Sequence, residues 1–287
     1  MKIGLQLPHF RPNSPETMRG WFKDVAQAVD GAGFDDLWMM DHFFQLGGEL
    51  GKPETDMLEG YTTLGYFAGL TENIKLGLMV GGVIYRHPAI VVKTVSTLDV
   101  LSGGRAIWGI GAAWYEHETV SLGMRFPTTK ERFEQLEDAL QIAHHMWSGK
   151  TEAFEGKQFK LPYPVNTPQP LQKPHPPILI GGMGPKKTLR YVAQYANACN
   201  FFGGASNDIL RERLDILKQH CEDVGRDYDE IDKSILVTVP IGGNGAERAA
   251  ELNEMGFQHI IVNTMEDYTP EAIQYLTEEL APAVKAL

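Results

Sequence analysis

The chain has 287 residues, of which 43% are hydrophobic and 22% charged, the balance of a folded globular protein rather than a disordered or fibrous one. Its 26 basic residues against 37 acidic ones leave a formal net charge of -11, a field that repels a phosphate backbone and argues against nucleic acid as a partner. Two cysteines, Cys199 and Cys221, supply neither a disulfide framework nor a metal-ligand cluster, so no metal is expected.

The chain opens on the apolar run KIGLQLP (2 to 8), without the basic, apolar and small-residue succession of a secretory leader. No stretch approaches the about 20 apolar residues of a membrane helix, so a cytoplasmic protein with no membrane partner is expected. Ser14 and Pro15 announce a helix over 16 to 31. The second strand, DDLWMMD (35 to 41), stops abruptly at Asp41 and His42, and a long segment (42 to 60) leads to a helix over 60 to 71. KLGLMVGG (75 to 82) and RAIWGIGAA (105 to 113) are the third and fourth strands, followed by helices over 88 to 101 and 130 to 148. Residues 149 to 177, rich in proline, interrupt the repeat and read as a small hairpin plus an extended arm over the barrel mouth. PPILIGG (176 to 182), ACNFFGG (198 to 204), SILVTVPIGG (234 to 243) and HIIVNT (259 to 264) complete the strands, with helices over 185 to 196, 206 to 224, 245 to 254 and 270 to 285.

Eight strand-helix units predict an α/β chain folded as one (β/α)8 TIM-like barrel over 1 to 287, with 149 to 177 inserted between helix 4 and strand 5. An open doubly wound sheet alternates in the same way, but it opens with a Gly-rich turn after its first strand, and LQLPHFRPNSP stands there instead. In a barrel the site forms from loops at the C-terminal ends of the strands. That rule directs attention to Asp41 and His42 after strand 2, to VGGVIYRHP after strand 3 and to GIGAAWYEHE after strand 4. Imidazole is the commonest general acid-base group, so His42 is the first candidate for chemistry, oriented by Asp41. Gly109 and Gly111 leave room for something flat to approach, with Trp114 and Tyr115 as aromatic walls. GGMGPKK places Gly182, Gly184 and Pro185 at a helix start where backbone N–H groups and Lys186 and Lys187 welcome a phosphate. No Gly-x-Ser-x-Gly elbow, HExxH or P-loop lysine motif is present.

The ordered blocks GLQLP, GFDDLWMMDHF, LGLMVGGVIYRHPA, LDVLSGGRAIWGIGAAWYEHE and PPILIGGMGPKKTLRYVAQYAN resemble the bacterial luciferase-like superfamily, and within it the oxidoreductases dependent on coenzyme F420, a deazaflavin hydride carrier. The resemblance runs over nearly the whole chain. It implies a homodimeric barrel that binds F420, or alternatively FMN, edge-on at the strand ends and acts on a small-molecule substrate. On the same resemblance His42 contacts the cofactor ring, with Asp41 beside it. A non-prolyl cis peptide at Met79–Val80, continued by Gly81, lies beneath the ring. Gly111, Ala112 and Tyr115 line it, and the phosphate rests on the turn Gly182, Met183, Gly184, Pro185 and near Phe202 and Gly203. Sugar-phosphate-oxidising relatives carry a catalytic glutamate where this chain has Ala112, so that reaction is not expected here. Glu116 and Glu118 do not have the family's spacing and are given no chemistry. The function expected is hydride transfer between F420 and a small, apolar organic substrate. The alternatives are an FMN-dependent monooxygenase and a non-catalytic flavin or deazaflavin binder.

Overall fold

The computed structural model describes residues 1–287. Eight parallel strands form the barrel: β1 (Lys2–Leu7), β2 (Asp36–Met39), β3 (Lys75–Leu78), β4 (Ala106–Gly111), β5 (Ile178–Gly181), β6 (Ala198–Phe202), β7 (Asp232–Thr238) and β8 (His259–Asn263). Each pairs with its successor, and β8 pairs with β1 in the register Lys2 with His259, so the sheet has no edge. Closure explains why the strands read as continuous apolar runs: with helices outside and side chains packed inside, both faces are buried. Trp38, Met79, Ile107, Leu179, Ala198 and Ile261 pack together within the barrel. A far larger cluster of 61 buried residues fills the space between strands and helices, and most of the hydrophobic stabilisation therefore lies in that outer layer.

The helices are α1 (Pro15–Gly31), α2 (Gly60–Ala68), α3 (Pro88–Leu101), α4 (Glu116–Ser121), α5 (Thr129–Trp147), α6 (Thr188–Tyr195), α7 (Asn207–Val224), α8 (Gly245–Met255), α9 (Pro270–Gln274) and α10 (Ala281–Lys285). A π-helical segment, Tyr275–Leu280, joins the last two. It precedes Pro282, whose ring and missing N–H oppose regular α-helical bonding. Short α4 was not expected from the sequence. The helix after β5 begins at Thr188, three residues beyond the expected Pro185.

The insertion does not cover the mouth. Its hairpin, Phe154–Glu155 against Lys160–Leu161, is pinned to α5 by Asp138, which accepts from the N–H groups of Lys157, Gln158 and Phe159 at 3.1, 2.6 and 3.0 Å. The returning arm is tied to α3 by Asp99, which accepts from Leu171 N at 2.7 Å and Gln172 N at 3.1 Å. Asn166 bonds Ser96 on the same helix. Two buried carboxylates, each collecting several backbone donors, thus strap 149 to 177 along the outer faces of α3 and α5. None of its residues lines the central cavity.

At the N-terminal end of the barrel His259 lies between Asp36 (3.2 Å) and Asp232 (3.6 Å), and Lys2 reaches Asp232 at 2.7 Å. Burial works against charge on His259, but the two carboxylates overcome it and raise its pKa to about 10. The imidazolium and its flanking acids close the bottom of the barrel as a paired group.

Candidate active site

The third strand breaks at its C-terminal end. Met79–Val80 is a cis peptide, as the resemblance implies, and the chain resumes strand pairing at Gly81–Gly82 against Ile110 and Gly111. The glycines of β4 make this break possible. A Cβ at Gly109 would fall 1.9 Å from the Leu78 carbonyl oxygen. One at Gly111 would lie 2.9 Å from Val80 Cγ2, and one at Gly181 2.8 Å from the same atom. The room these glycines provide is thus taken by the neighbouring strand's bulge, and the bulge in turn is what a ligand would meet. A polar chain supports it from below: Thr238 Oγ1 donates to Asn263 Oδ1 (2.8 Å), Asn263 Nδ2 to Gln6 Oε1 (2.7 Å), and Gln6 Nε2 to the Met79 carbonyl (3.3 Å).

Above the bulge opens a cavity of about 720 Å3, within the range of small-molecule and cofactor sites. Met40, Leu46, Leu50, Trp114, Leu236 and Met265 make it apolar, and Gly81, Gly82, Gly111 and Gly182 make parts of its wall bare backbone. Asp41 and His42 are the only side chains of ionisable acid or imidazole type that line it, and no lysine or arginine does. Ala113, at φ 59°, is the one non-glycine residue in the left-handed region. That conformation costs alanine about 1 kcal/mol, and here it turns the chain from β4 into α4, with Trp114 and Tyr115 following.

The expectation that Asp41 orients His42 is corrected. Asp41 Oδ2 accepts from Gly82 N at 3.0 Å and from Arg86 Nη1 at 2.8 Å, while Arg86 Nη2 reaches Glu59 at 2.5 Å. Burial pushes the Asp41 carboxyl upward against the pull of Arg86. The other oxygen, Oδ1, is buried and takes no hydrogen bond from the protein. His42 turns the other way. Its Nδ1 lies 3.2 Å from Glu118 Oε1, and its ring meets Tyr85, Trp114 and Tyr115 edge-on at 6.4, 5.9 and 5.9 Å.

Glu118 is fully buried. Its Oε1 also accepts from Tyr85 Oη at 2.7 Å, and its Oε2 from the backbone N–H groups of Phe43 and Phe44, the latter at 2.8 Å. Burial raises this carboxyl's pKa, but bonds from His42, Tyr85 and Phe44 outweigh it, and the net shift is downward. Helix geometry separates the two acids of YEHE: two residues apart on α4 they point about 200° apart, and Glu116 is exposed where Glu118 is buried. That period was the available signal for Glu118.

Of the expected site residues, Asp41, His42, Met79, Val80, Gly81, Gly111, Ala112, Gly182 and Phe202 line the cavity. Tyr115 stands behind Trp114, stacked on it at 5.2 Å. Met183, Gly184 and Pro185 continue from Gly182 toward α6, outside the cavity wall, and the Pro185 carbonyl accepts from His220 at 2.7 Å. Gly203 also lies outside the wall, where a Cβ would fall 2.7 Å from the Leu236 carbonyl oxygen. Lys186 and Lys187 are exposed beyond it, Lys187 lying 5.4 Å over the Phe133 ring.

A (β/α)8 barrel with an apolar, glycine-walled cavity and one imidazole at its strand ends has the architecture of an enzyme for small molecules. The chain belongs to the luciferase-like monooxygenase family, whose sequence profile matches residues 1–285. It is 28% identical over 240 residues to an F420-dependent glucose-6-phosphate dehydrogenase of Kineococcus radiotolerans, covering 83% of this chain and 69% of that one. A protein of the same name from Microbacterium testaceum is 28% identical over 75% of this chain, which spans 62% of that relative's length. Among solved structures, an F420-dependent secondary alcohol dehydrogenase holding an F420-acetone adduct superposes with a TM-score of 0.82 at 18% identity, over 99% and 98% of the two chains. The oxygenating component of a Baeyer–Villiger monooxygenase of Pseudomonas putida in complex with FMN gives 0.74 at 17% identity, over 98% of each. No helix is long and apolar enough to cross a membrane.

Proposed function

We propose that this chain is an F420-dependent oxidoreductase whose substrate is a small, uncharged, largely apolar carbonyl compound or the matching alcohol. One observation carries this reading: a cavity of about 720 Å3 with an imidazole in its wall, a backbone bulge as its floor and no cation in its lining. The F420-dependent names of the relatives support the cofactor half of the reading. When bound, the deazaflavin supplies the hydride chemistry, and the protein contributes binding, orientation and proton handling.

The residues fit such a group. Val80 and the carbonyl-supported bulge offer a flat apolar surface to a ring face, and Gly81, Gly111 and Gly182 leave space along its edges. The turn Gly182–Pro185 with Lys186 and Lys187 is the proposed phosphate contact at the cavity's edge, together with Phe202 and Gly203. His42 hydrogen-bonds the ring or the substrate oxygen from the wall. Leu46, Leu50 and Trp114 give the wall an apolar surface. A sugar phosphate is disfavoured as substrate, because no lysine or arginine in the lining would pair its phosphate, and Ala112 offers no acid at the position where the family resemblance implies a glutamate for that reaction. The same reading carries a homodimer as the working assembly.

The FMN complex of the structural relative keeps one rival in view, a monooxygenase that uses reduced flavin and oxygen. Incubation with reduced F420 and a panel of apolar ketones and aldehydes under argon separates the two. The proposal expects substrate-dependent return of oxidised F420 without oxygen. Turnover only with reduced FMN and oxygen contradicts it, and binding without any turnover leaves a non-catalytic binder.

A further inference from the structure

We propose that Glu118 is a positioning residue that fixes the tautomer of His42, placing the proton on Nδ1 and leaving Nε2 as the nitrogen that exchanges a proton with the substrate oxygen. The inference rests on the carbonyl/alcohol reading for its chemistry, but its structural content does not depend on any cofactor.

Glu118 is held by four donors in two pairs. Its Oε2 takes the backbone N–H groups of Phe43 and Phe44, which can do nothing but donate. That pair fixes the carboxylate's rotation. Its Oε1 then faces Tyr85 Oη and His42 Nδ1. A carboxylate is acceptor-only, so His42 meets it as Nδ1–H. Nε2 makes no hydrogen bond within the protein, and the ring lines the cavity. The arrangement has the logic of an acid holding a catalytic imidazole in one tautomer, with the acid brought from α4 rather than from the neighbouring Asp41.

The chemistry balances. A bound reduced deazaflavin would supply hydride to a carbonyl carbon; the oxygen would then gain the proton from Nε2 of the His42 imidazolium, forming an O–H bond and leaving neutral Nδ1–H imidazole. In the opposite direction Nε2 would accept the hydroxyl proton as the C–H hydrogen left with its bonding pair as hydride, for which a bound oxidised deazaflavin would be the acceptor. Glu118 keeps its charge throughout, so it neither gives nor takes the substrate's proton.

Glu118→Gln is a specific test because of the two pairs. The amide has one oxygen, and the two backbone N–H groups claim it, so the NH2 is turned toward Tyr85 and His42. Tyr85 rotates to accept, and His42 accepts only by giving up the proton on Nδ1. Its neutral form then carries the proton on Nε2 and offers no lone pair to the cavity. The experiment is long-range 1H–15N correlation of the histidine rings, recorded where the His42 ring signals are those of the neutral imidazole, on the full chain without cofactor, with His42→Gln to assign the signals. The wild type is expected as the Nδ1–H form, the minor tautomer of an unconstrained imidazole, and Glu118→Gln as Nε2–H. With cofactor and ketone, the variant is expected to lose about 10²- to 10⁴-fold in kcat/KM, the usual share of general acid-base catalysis. An Nε2–H wild type overturns the inference whether or not the variant folds, as does a variant whose tautomer is unchanged. A reversed tautomer in a protein that never turns over F420 upholds the role of Glu118 while the redox reading falls.

Discussion

Replacing Asp41 with alanine should destabilise the fold without disturbing His42, although the two residues are adjacent in sequence. The carboxylate accepts a charge-assisted bond from Arg86 at 2.8 Å and one from Gly82 N at 3.0 Å. Removing the first costs about 1.5–3 kcal/mol, and the stranded Gly82 donor about 1–3 kcal/mol. Arg86 keeps Glu59 as a partner, and 20% of its side chain is exposed, so its charge is not left bare. The total therefore falls near the lower end of the range for breaking a buried pair, at about 3 kcal/mol. For 287 residues the unfolding entropy is about 0.6 kcal/mol/K, so the loss lowers Tm by about 5 °C. Differential scanning calorimetry measures this, and the same histidine-ring spectra report His42. An unshifted Tm together with an altered His42 tautomer would refute the reasoning, because it would mean that Asp41 holds His42 after all.

Gly109→Ala puts a methyl 1.9 Å from the Leu78 carbonyl oxygen, where backbone must move. The expected cost is about 1–3 kcal/mol of stability, with a loss of F420 affinity as the bulge shifts; an unchanged Tm and Kd would show that the β3–β4 contact is looser than described. The bottom cluster predicts a pH profile. His259 is raised from 6.5 to about 10, so its stabilisation is fully present below about 6.5 and is lost as pH rises through about 10. Asp232 is depressed, chiefly by His259 and Lys2 working against burial, so its contribution is present above about 3.8 and is lost as pH falls further. Tm measured across pH should thus decline between about 6.5 and 10, and His259→Gln should flatten that limb. Asp99→Ala releases the arm from α3 by removing the acceptor of Leu171 N and Gln172 N; limited proteolysis should then cut within 162 to 175, while cavity binding is retained.

The barrel was legible in the sequence because closed parallel strands are buried on both faces and leave eight apolar runs at regular intervals. GGMGPKK and the strand-4 glycines also fell at the correct strand ends. What the pattern did not carry was the partner of each polar group. Successive residues leaving a strand point to opposite sides, so adjacency of Asp41 and His42 made them poor partners, and each found an acid or base far along the chain, Arg86 at 45 residues and Glu118 at 76. The strand-4 glycines read as space for a ligand because the neighbouring strand's carbonyl cannot be seen in one dimension. Its proline-rich composition points the arm toward the mouth, whereas its position is set by Asp99 and Asp138, two buried acids within helices whose role shows only in the folded chain.

The central claim is that the cavity above Met79–Val80 is a deazaflavin site read by His42. The direct measurement is an equilibrium fluorescence titration of the purified chain with F420 and, separately, with FMN, repeated on His42→Ala. Saturable binding of F420 tighter than of FMN, weakened by His42→Ala, is the predicted result. Binding of FMN alone, or F420 affinity indifferent to His42, would contradict it.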